Sequence, residues 1–424
     1  MAAENLTSLA KAVFGPDGVP NLVPDFAVIQ KDIEFSKGEA LGDYFEMAVR
    51  TNVPKGVTFA KGDGTAGAFA LGDVIVGSQV KSKVYGYQMA LRDWLSNEDA
   101  AKLSSSRNSF ERAAPFFFEG MQMSLRRFLE LQCLYGGSGI ADTTGAGTVV
   151  DSTHHTVAIL AAKWAEGIWA GAQSDSINFY SGSSLVSSGA NAIFSVDSVD
   201  FDNKKITVSG TSTGISALIT ALGAGTLSVY HAGSYGNQMD GIHKMLSATS
   251  GNIQNIDVTL YSQWKGISYA PASSGPLDFD KAKRLASAIM SRGGLMEGAN
   301  FYINNKNFDD LVTDIVAVQR DKLGSDKVKV GVKEITFTTS AGDLTIKAHP
   351  MVWEGYGYCL AKPKKYWKRV GAADITGVNP VTGGKIFFDL PSNMGIESRL
   401  FTHQSICTEA LAKSGYISSL VPTT

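Results

Sequence analysis

The sequence predicts an α+β fold closed by pairing between segments far apart in the chain. Three observations predict it. Period-two strand patterns stand near both ends, with the longest 3.6-period apolar stripe between them. Glycine accounts for 45 of 424 residues, spread without a repeat, which requires many tight turns and short strands. Helix, strand and helix patterns then alternate before a terminal run of strands. At about 100 to 200 residues per domain, the length corresponds to two to three domains.

Composition excludes several functions. Lys and Arg number 38 against 40 Asp and Glu, so no overall positive field marks a nucleic-acid binder. Charged residues make up 18% and hydrophobic residues 44%. The charged share is below the roughly 25% of ordinary soluble domains, which points to surface covered by other chains. Cys133, Cys359 and Cys407 are scattered, with no CxxC, and read as buried thiols in a reducing compartment. No run approaches the ~18 apolar residues of a membrane span. The first residues lack a secretion signal, which weighs against a secreted β-rich adhesin.

Residues 1–32 read as an extended arm, because Pro16, Pro20 and Pro24 with Gly15 and Gly18 exclude a long helix. Its apolar residues, Leu22 and Phe26 among them, need burial on the body or on a neighbour. Residues 33–94 form a long β-hairpin. Its middle is glycine-rich and carries Lys55, Phe59, Lys61, Phe69 and Leu71. On the return limb Val80, Ser82, Val84 and Gly86 alternate with Lys81, Lys83, Tyr85 and Tyr87, the mark of a strand with one face in contact. A loop this long without helix projects and interacts.

A long helix over 109–136 follows, with Pro115 in its first turn and Gly136-Gly137 as its stop. Phe118, Met121, Leu125, Phe128, Leu129 and Cys133 form one stripe. Arg126, Arg127 and Glu130 fall on the other side, Arg126 and Glu130 as an i,i+4 pair. Residues 138–155 read as linker and 158–172 as a helix. A β-rich module spans 173–240, with strands at 193–201, 205–209 and 226–232. Asp278 or Asp280 caps a helix carrying Ala282, Leu285, Ala286, Ile289 and Met290. A strand at 300–304 leads to a helix capped by Asn305 or Asn307. Strands are expected at 334–339, 343–349, 356–361, 385–390 and 396–407.

The chemical motifs resolve into structural ones. Gly62, Gly64 and Gly67 match GxGxxG, but a strand-like run follows where a dinucleotide site needs a helix, so this is a hairpin tip. Gly210, Ser212 and Gly214 match GxSxG between strand-like and helix-like segments, with His231, His243, His349 and His403 downstream. Ser212 is therefore the nucleophile of the rival reading, a serine hydrolase, although no oxyanion-loop segment precedes it. His154 and His155 point to opposite faces of one strand, and no second ligand cluster lies at metal spacing. The run from Lys362 to Lys368, with Tyr366 and Trp367, reads as a strand end or subunit contact. No catalytic, cofactor or metal constellation results.

The order of arm, long hairpin, long helix, β module, helix–strand–helix and closing strands resembles the major capsid proteins of tailed bacteriophages, the Hong Kong 97-like fold. The resemblance covers nearly the whole chain through loose local patterns, such as the Gly236-Asn-Gln-Met-Asp-Gly241 turn. It implies an N-terminal arm (1–32), an extended loop (33–94) and a peripheral domain (95–172) with a spine helix at 109–136. It further implies an inserted β-rich module (173–240), an axial domain (241–350) and return strands (351–424). The implied function is a self-assembling head shell of hexamers and pentamers around double-stranded DNA held without sequence specificity. Implied partners are a scaffolding protein, a portal and decoration proteins; the place is the virion, assembled in the host cytoplasm. A same-fold bacterial nanocompartment shell is the second reading. The expected assembly contacts are Leu22, Phe26, Lys55, Phe59, Lys61, Phe69, Lys81, Lys83, Tyr85, Arg126, Arg127 and Glu130. The short arm implies a separate scaffold, and Met1 in place points away from N-terminal maturation.

Overall fold

The computed structural model describes residues 27–37, 43–60, 70–96, 107–294, 298–320, 334–339, 342–377, 387–389 and 394–423. One helical turn, α1 (Ile29–Asp32), precedes the short strand β1 (Phe35–Lys37). β2 (Tyr44–Arg50) and β3 (Gln79–Tyr85) pair antiparallel as a two-stranded ribbon, from Tyr44 opposite Tyr85 to Arg50 opposite Gln79. β4 (Tyr87–Ser96) follows directly, then the 29-residue helix α2 (Arg107–Tyr135). The helix starts earlier than expected, so Pro115 lies inside it and not in its first turn.

An eight-stranded sheet comes next. It contains β5 (Ala141–Asp142), β6 (Thr148–Val149), β7 (His154–Ala158), β8 (Ser176–Ser181), β9 (Ser184–Leu185), β10 (Phe194–Asp200), β11 (Lys205–Ser209) and β12 (Ser228–His231). The sheet therefore reaches back to Ala141, upstream of the boundary expected at 173, because β5 pairs with β12 and β7 pairs with β11 along five residues. The expected linker supplies β5 and β6. The expected helix over 158–172 is a 3-10 turn, Ala161–Lys163, and a single turn, α3 (Glu166–Trp169). Burial overrides propensity there: Trp164 and Trp169 are both about fully buried and stack at 6.2 Å, which a break at extended Trp164 permits. The β module also holds a helix, α4 (Ser212–Ala224), capped by Thr211 Oγ1 accepting from Gly214 N at 3.1 Å.

α5 (Ile242–Ser247) leads to a hairpin of β13 (Asn252–Ile253) and β14 (Ile256–Asp257). A second unit is built on β15 (Ile267–Tyr269), α6 (Phe279–Ser291), β16 (Ala299–Ile303), α7 (Asn305–Arg320), β17 (Glu334–Thr339), β18 (Gly342–Ala348) and β19 (Gly357–Leu360). After α8 (Pro363–Tyr366) the chain forms β20 (Trp367–Thr376), β21 (Phe387–Asp389), β22 (Gly395–Thr408) and β23 (Gly415–Ile417). The six-stranded order is β15-β23-β19-β16-β18-β17, and β1, β20, β22, β21 and β4 make a five-stranded sheet.

Asp278 caps α6, its Oδ1 accepting from Lys281 N at 2.7 Å. The cap of α7 is neither Asn305 nor Asn307 but Asn304, whose Oδ1 accepts from Lys306 N at 3.0 Å. Asn307 is buried and donates to the Glu354 carbonyl at 2.7 Å. Met290 faces outward, unlike Ala282, Leu285, Ala286 and Ile289. The basic–aromatic run near 365 is α8 and the start of β20, an interior strand between β1 and β22. Buried Trp367 anchors it by donating to Ser414 Oγ at 3.1 Å.

The largest core joins α2, the eight-stranded sheet and the 351–353 segment. Trp353 stacks on Tyr135 at 4.0 Å and donates from Nε1 to the Ile140 carbonyl at 2.9 Å. A second core fills the six-stranded sheet and its helices.

Candidate assembly interface

The ribbon has one face on the body and one in the open. Phe45 and Val84 pack with Val370 and Cys407 in a small core at its root. On the outer face Lys81 Nζ meets Glu46 Oε1 at 2.6 Å, which raises the lysine pKa through that hydrogen bond. Lys83 sits over the Tyr44 ring at 4.6 Å, and Tyr85 meets the same ring edge-on at 6.0 Å.

Beyond β2 and β3 the two limbs run on without regular strand structure. Thr51 N donates to Ser78 O at 3.1 Å, Lys55 N to Ile75 O at 3.1 Å, and Gly72 N to Thr58 Oγ1 at 2.7 Å. The limbs approach so closely that a Cβ on Gly56 would lie 3.0 Å from the Asp73 carbonyl. Such a ribbon has little room to bury its own side chains. Phe59 is 91% exposed, Leu71 82% and Val74 84%, and Val53, Val57, Ile75 and Val76 are also open. A contiguous apolar run like this is the signature of a surface made to be covered.

Of the sequence-expected contacts, Lys55, Phe59, Lys81, Lys83 and Tyr85 lie along this ribbon, with Lys83 partly buried and the other four exposed. Leu22, Phe26, Lys61 and Phe69 lie outside the described residues, as does the Gly62–Gly67 motif. The helix trio separates. Arg126 is exposed. Arg127 is buried and donates to the carbonyls of Gly171 (2.9 Å) and Ile168 (2.7 Å). Asp175 stands 3.4 Å from it, and burial pushes that carboxyl up to about 6 while lowering the guanidinium. Glu130 is fully buried and accepts from Ile29 N (2.6 Å), Gln30 N (3.2 Å) and His349 Nε2 (2.9 Å). Arg127 and Glu130 are therefore internal fastenings, a correction to their reading as outward contacts. Stripe spacing missed this because α2 is packed on more than one side.

Sequence reasoning also missed the apolar limb residues Val57, Val74 and Val76, whose only signal is an apolar run between glycines. Ser212 stands exposed at the start of α4, and among the described residues no histidine hydrogen-bonds to it. His231 is packed edge-on against Phe128 at 4.8 Å, and His349 is taken by Glu130. His154 bonds Asp151 at 2.9 Å on the outer face while buried His155 bonds the Ala146 carbonyl at 2.9 Å, so the pair is split. Among the described residues no group of His, Cys, Asp and Glu is placed to hold a metal, and no helix is long and apolar enough to cross a membrane. The three cysteines are buried, with the thiols of Cys359 and Cys407 pushed up to about 12 by burial.

No protein-family model matches the chain, and no curated protein matches it. Solved structures do. The capsid asymmetric unit of cyanophage A-1(L) aligns over 97% of this chain and 96% of its own, at 10% identity and a TM-score of 0.55. The chain has the phage major capsid fold. More distant likenesses are the capsid of the native GTA particle (8% identity, TM-score 0.49, 97% and 95% covered) and the holo-SrpI encapsulin complex of Synechococcus elongatus PCC 7942 (7%, 0.39, 100% and 98%). In this capsid fold the apolar ribbon is a part of the chain itself, not an appendage, since β3 continues through Gly86 into β4 of the five-stranded sheet.

Proposed function

We propose that the chain is the head-shell subunit of a tailed phage, forming by self-assembly an icosahedral head around double-stranded DNA. The observation that carries this reading is the pair of ribbon limbs over 51–60 and 70–78, which hold Val53, Val57, Phe59, Leu71, Val74, Ile75 and Val76 in the open on a capsid fold. A two-stranded ribbon is marginal alone. Laid across a neighbour it buries its side chains, and interfaces above ~2,000 Å² make permanent assemblies after association costs. On this reading residues 1–32 are the arm, 33–94 the extended loop, 95–172 the peripheral domain, 173–240 an insertion whose sheet also takes in β5, β6 and β7 of the preceding segment, 241–350 the axial domain and 351–424 the return strands. The ribbon contacts are Lys55, Phe59, Lys81, Lys83 and Tyr85, joined by Leu22, Phe26, Lys61, Phe69 and Arg126. Partners are copies of itself as hexamers and pentamers, a scaffolding protein, a portal and decoration proteins. Assembly takes place in the host cytoplasm, and the work is assembly rather than catalysis.

Sedimentation and negative-stain electron microscopy of the chain, expressed with and without its neighbouring phage genes, test the reading. Closed shells, polyheads or rings are expected. A monomer or dimer under every condition overturns it. An ester-cleaving activity abolished by Ser212→Ala would contradict the non-enzymatic part.

A further inference from the structure

Besides its small packed core, the ribbon's root meets the β13–β14 hairpin, where β3 crosses it. That hairpin turns through Gln254 and Asn255 at φ 51° and 63°. Two consecutive residues with a Cβ in the left-handed region are costly, and glycine is the ordinary choice there. Gln254 is used for its side chain. It is 7% exposed, and its amide lies against the end of β22: with nitrogen and oxygen assigned by the groups they face, the nitrogen donates to the Thr408 carbonyl (3.1 Å) and to Ser82 Oγ (3.1 Å), and the oxygen accepts from Thr408 N (3.0 Å). The Gln254 carbonyl in turn accepts from Lys83 N at 2.9 Å. One residue thus ties ribbon strand β3 to the five-stranded sheet.

Two further features make this a joint. The chain leaves the ribbon at Gly86, where a Cβ would come within 2.1 Å of the His403 ring, so only glycine passes. Beside the tie lies a cleft of about 200 Å³ lined by Lys83, Tyr85, Asp240, Asn255 and Ser405, among others. A narrow passage, free space and a strained polar tie coincide at the ribbon's root.

We propose that Gln254 is a catch fixing the ribbon's angle, and that releasing it lets the ribbon pivot about Gly86 into the cleft. Its consequence for shell formation rests on the function proposed above; the catch itself does not. The test uses the full chain spin-labelled at Ala60→Cys and Lys283→Cys, both exposed, the native cysteines being buried. Electron–electron resonance on the parent should give one narrow distance distribution. Gln254→Ala should broaden or shift it, and the Lys83 amide, whose acceptor carbonyl survives the substitution, should exchange about tenfold faster because losing the side-chain tie makes opening of the joint easier by about one ordinary hydrogen bond. Asn255→Gly, which relaxes the turn and keeps the amide, should match the parent. Should Gln254→Ala fail to fold, Ser82→Ala removes one partner and should broaden the distribution less. A broad parent distribution, an unchanged one in Gln254→Ala (or in Ser82→Ala, where that variant stands in), or equal broadening by Asn255→Gly overturns the catch. A parent that never assembles overturns the shell reading and leaves the catch standing.

Discussion

Glu130 shows what a single buried carboxylate does here. It closes the start of α1 by accepting from two backbone N–H groups and holds His349, the bonds to Ile29 and His349 being buried. Removing it strands two buried donors and one partly buried one, so Glu130→Ala should cost about 3 to 5 kcal/mol in urea unfolding. Exposed Arg126→Ala should stay within about 0.5 kcal/mol. Buried histidines set the pH response. Burial holds His231 at about 4 and His243 at about 3, below the 6.5 of a free imidazole. The unfolded chain takes those protons first, so their stabilisation is present above pH 6.5 and lost as pH falls toward 4 and 3. Asp175, pushed up to about 6 from 3.8, acts oppositely: its contribution is full below 3.8 and lost as pH rises through 6. Between pH 4 and 6, His231→Leu should therefore flatten the rise of stability with pH by about one proton, roughly 1.4 kcal/mol per unit. Asp175→Asn should steepen it by the same amount. Urea midpoints across that range measure both.

At the scale of elements, the ribbon separates folding from assembly. Phe59 and Val74 touch little of their own subunit. Phe59→Asp and Val74→Asp should leave the unfolding midpoint unchanged within about 0.5 kcal/mol. Shell yield in sedimentation should fall to background, because a charge buried in an apolar contact is not repaid. Retained shells with both substitutions would remove the ribbon from the assembly contacts. Val84→Asp, at the ribbon's buried root, should instead unfold the subunit.

For the whole molecule, α1 is where three parts of the chain meet. Ile29 and Ile33 are fully buried, Asp32 meets Lys347 Nζ at 3.0 Å and accepts from Tyr302 OH at 2.6 Å, and Arg369 Nε donates to the Ile33 carbonyl at 2.9 Å. A truncation aimed at the arm must stop before this turn. Deleting residues 1–26 should leave a folded, soluble subunit that fails to close shells, whereas deletion through residue 30 should destabilise the subunit itself by emptying the Ile29 site. Circular dichroism melting with sedimentation distinguishes the two. Equal melting points for both deletions would show that the turn contributes nothing.

Local pattern alone determined a good share of this protein. The long helix up to its glycine stop, the split of His154 from His155, the Asp278 cap and the strands at 205–209 and 334–339 follow from period, spacing and turn chemistry. Each is a short-range property, carried by residues within one or two turns of each other. Tertiary structure decided the rest. Glu130 and Arg127 turn inward because α1 and the 168–175 segment pack against a face that spacing marks as polar. The segment over 158–172 breaks because two tryptophans need one core. Trp367–Thr376 becomes an interior strand only because β1 and β22 flank it. The catch at Gln254 joins residues 172 and 154 positions apart, Ser82 and Thr408, and a left-handed turn holding a buried amide leaves no period in a sequence. Burial and long-range hydrogen bonding are sums over the folded chain, and no local window contains them.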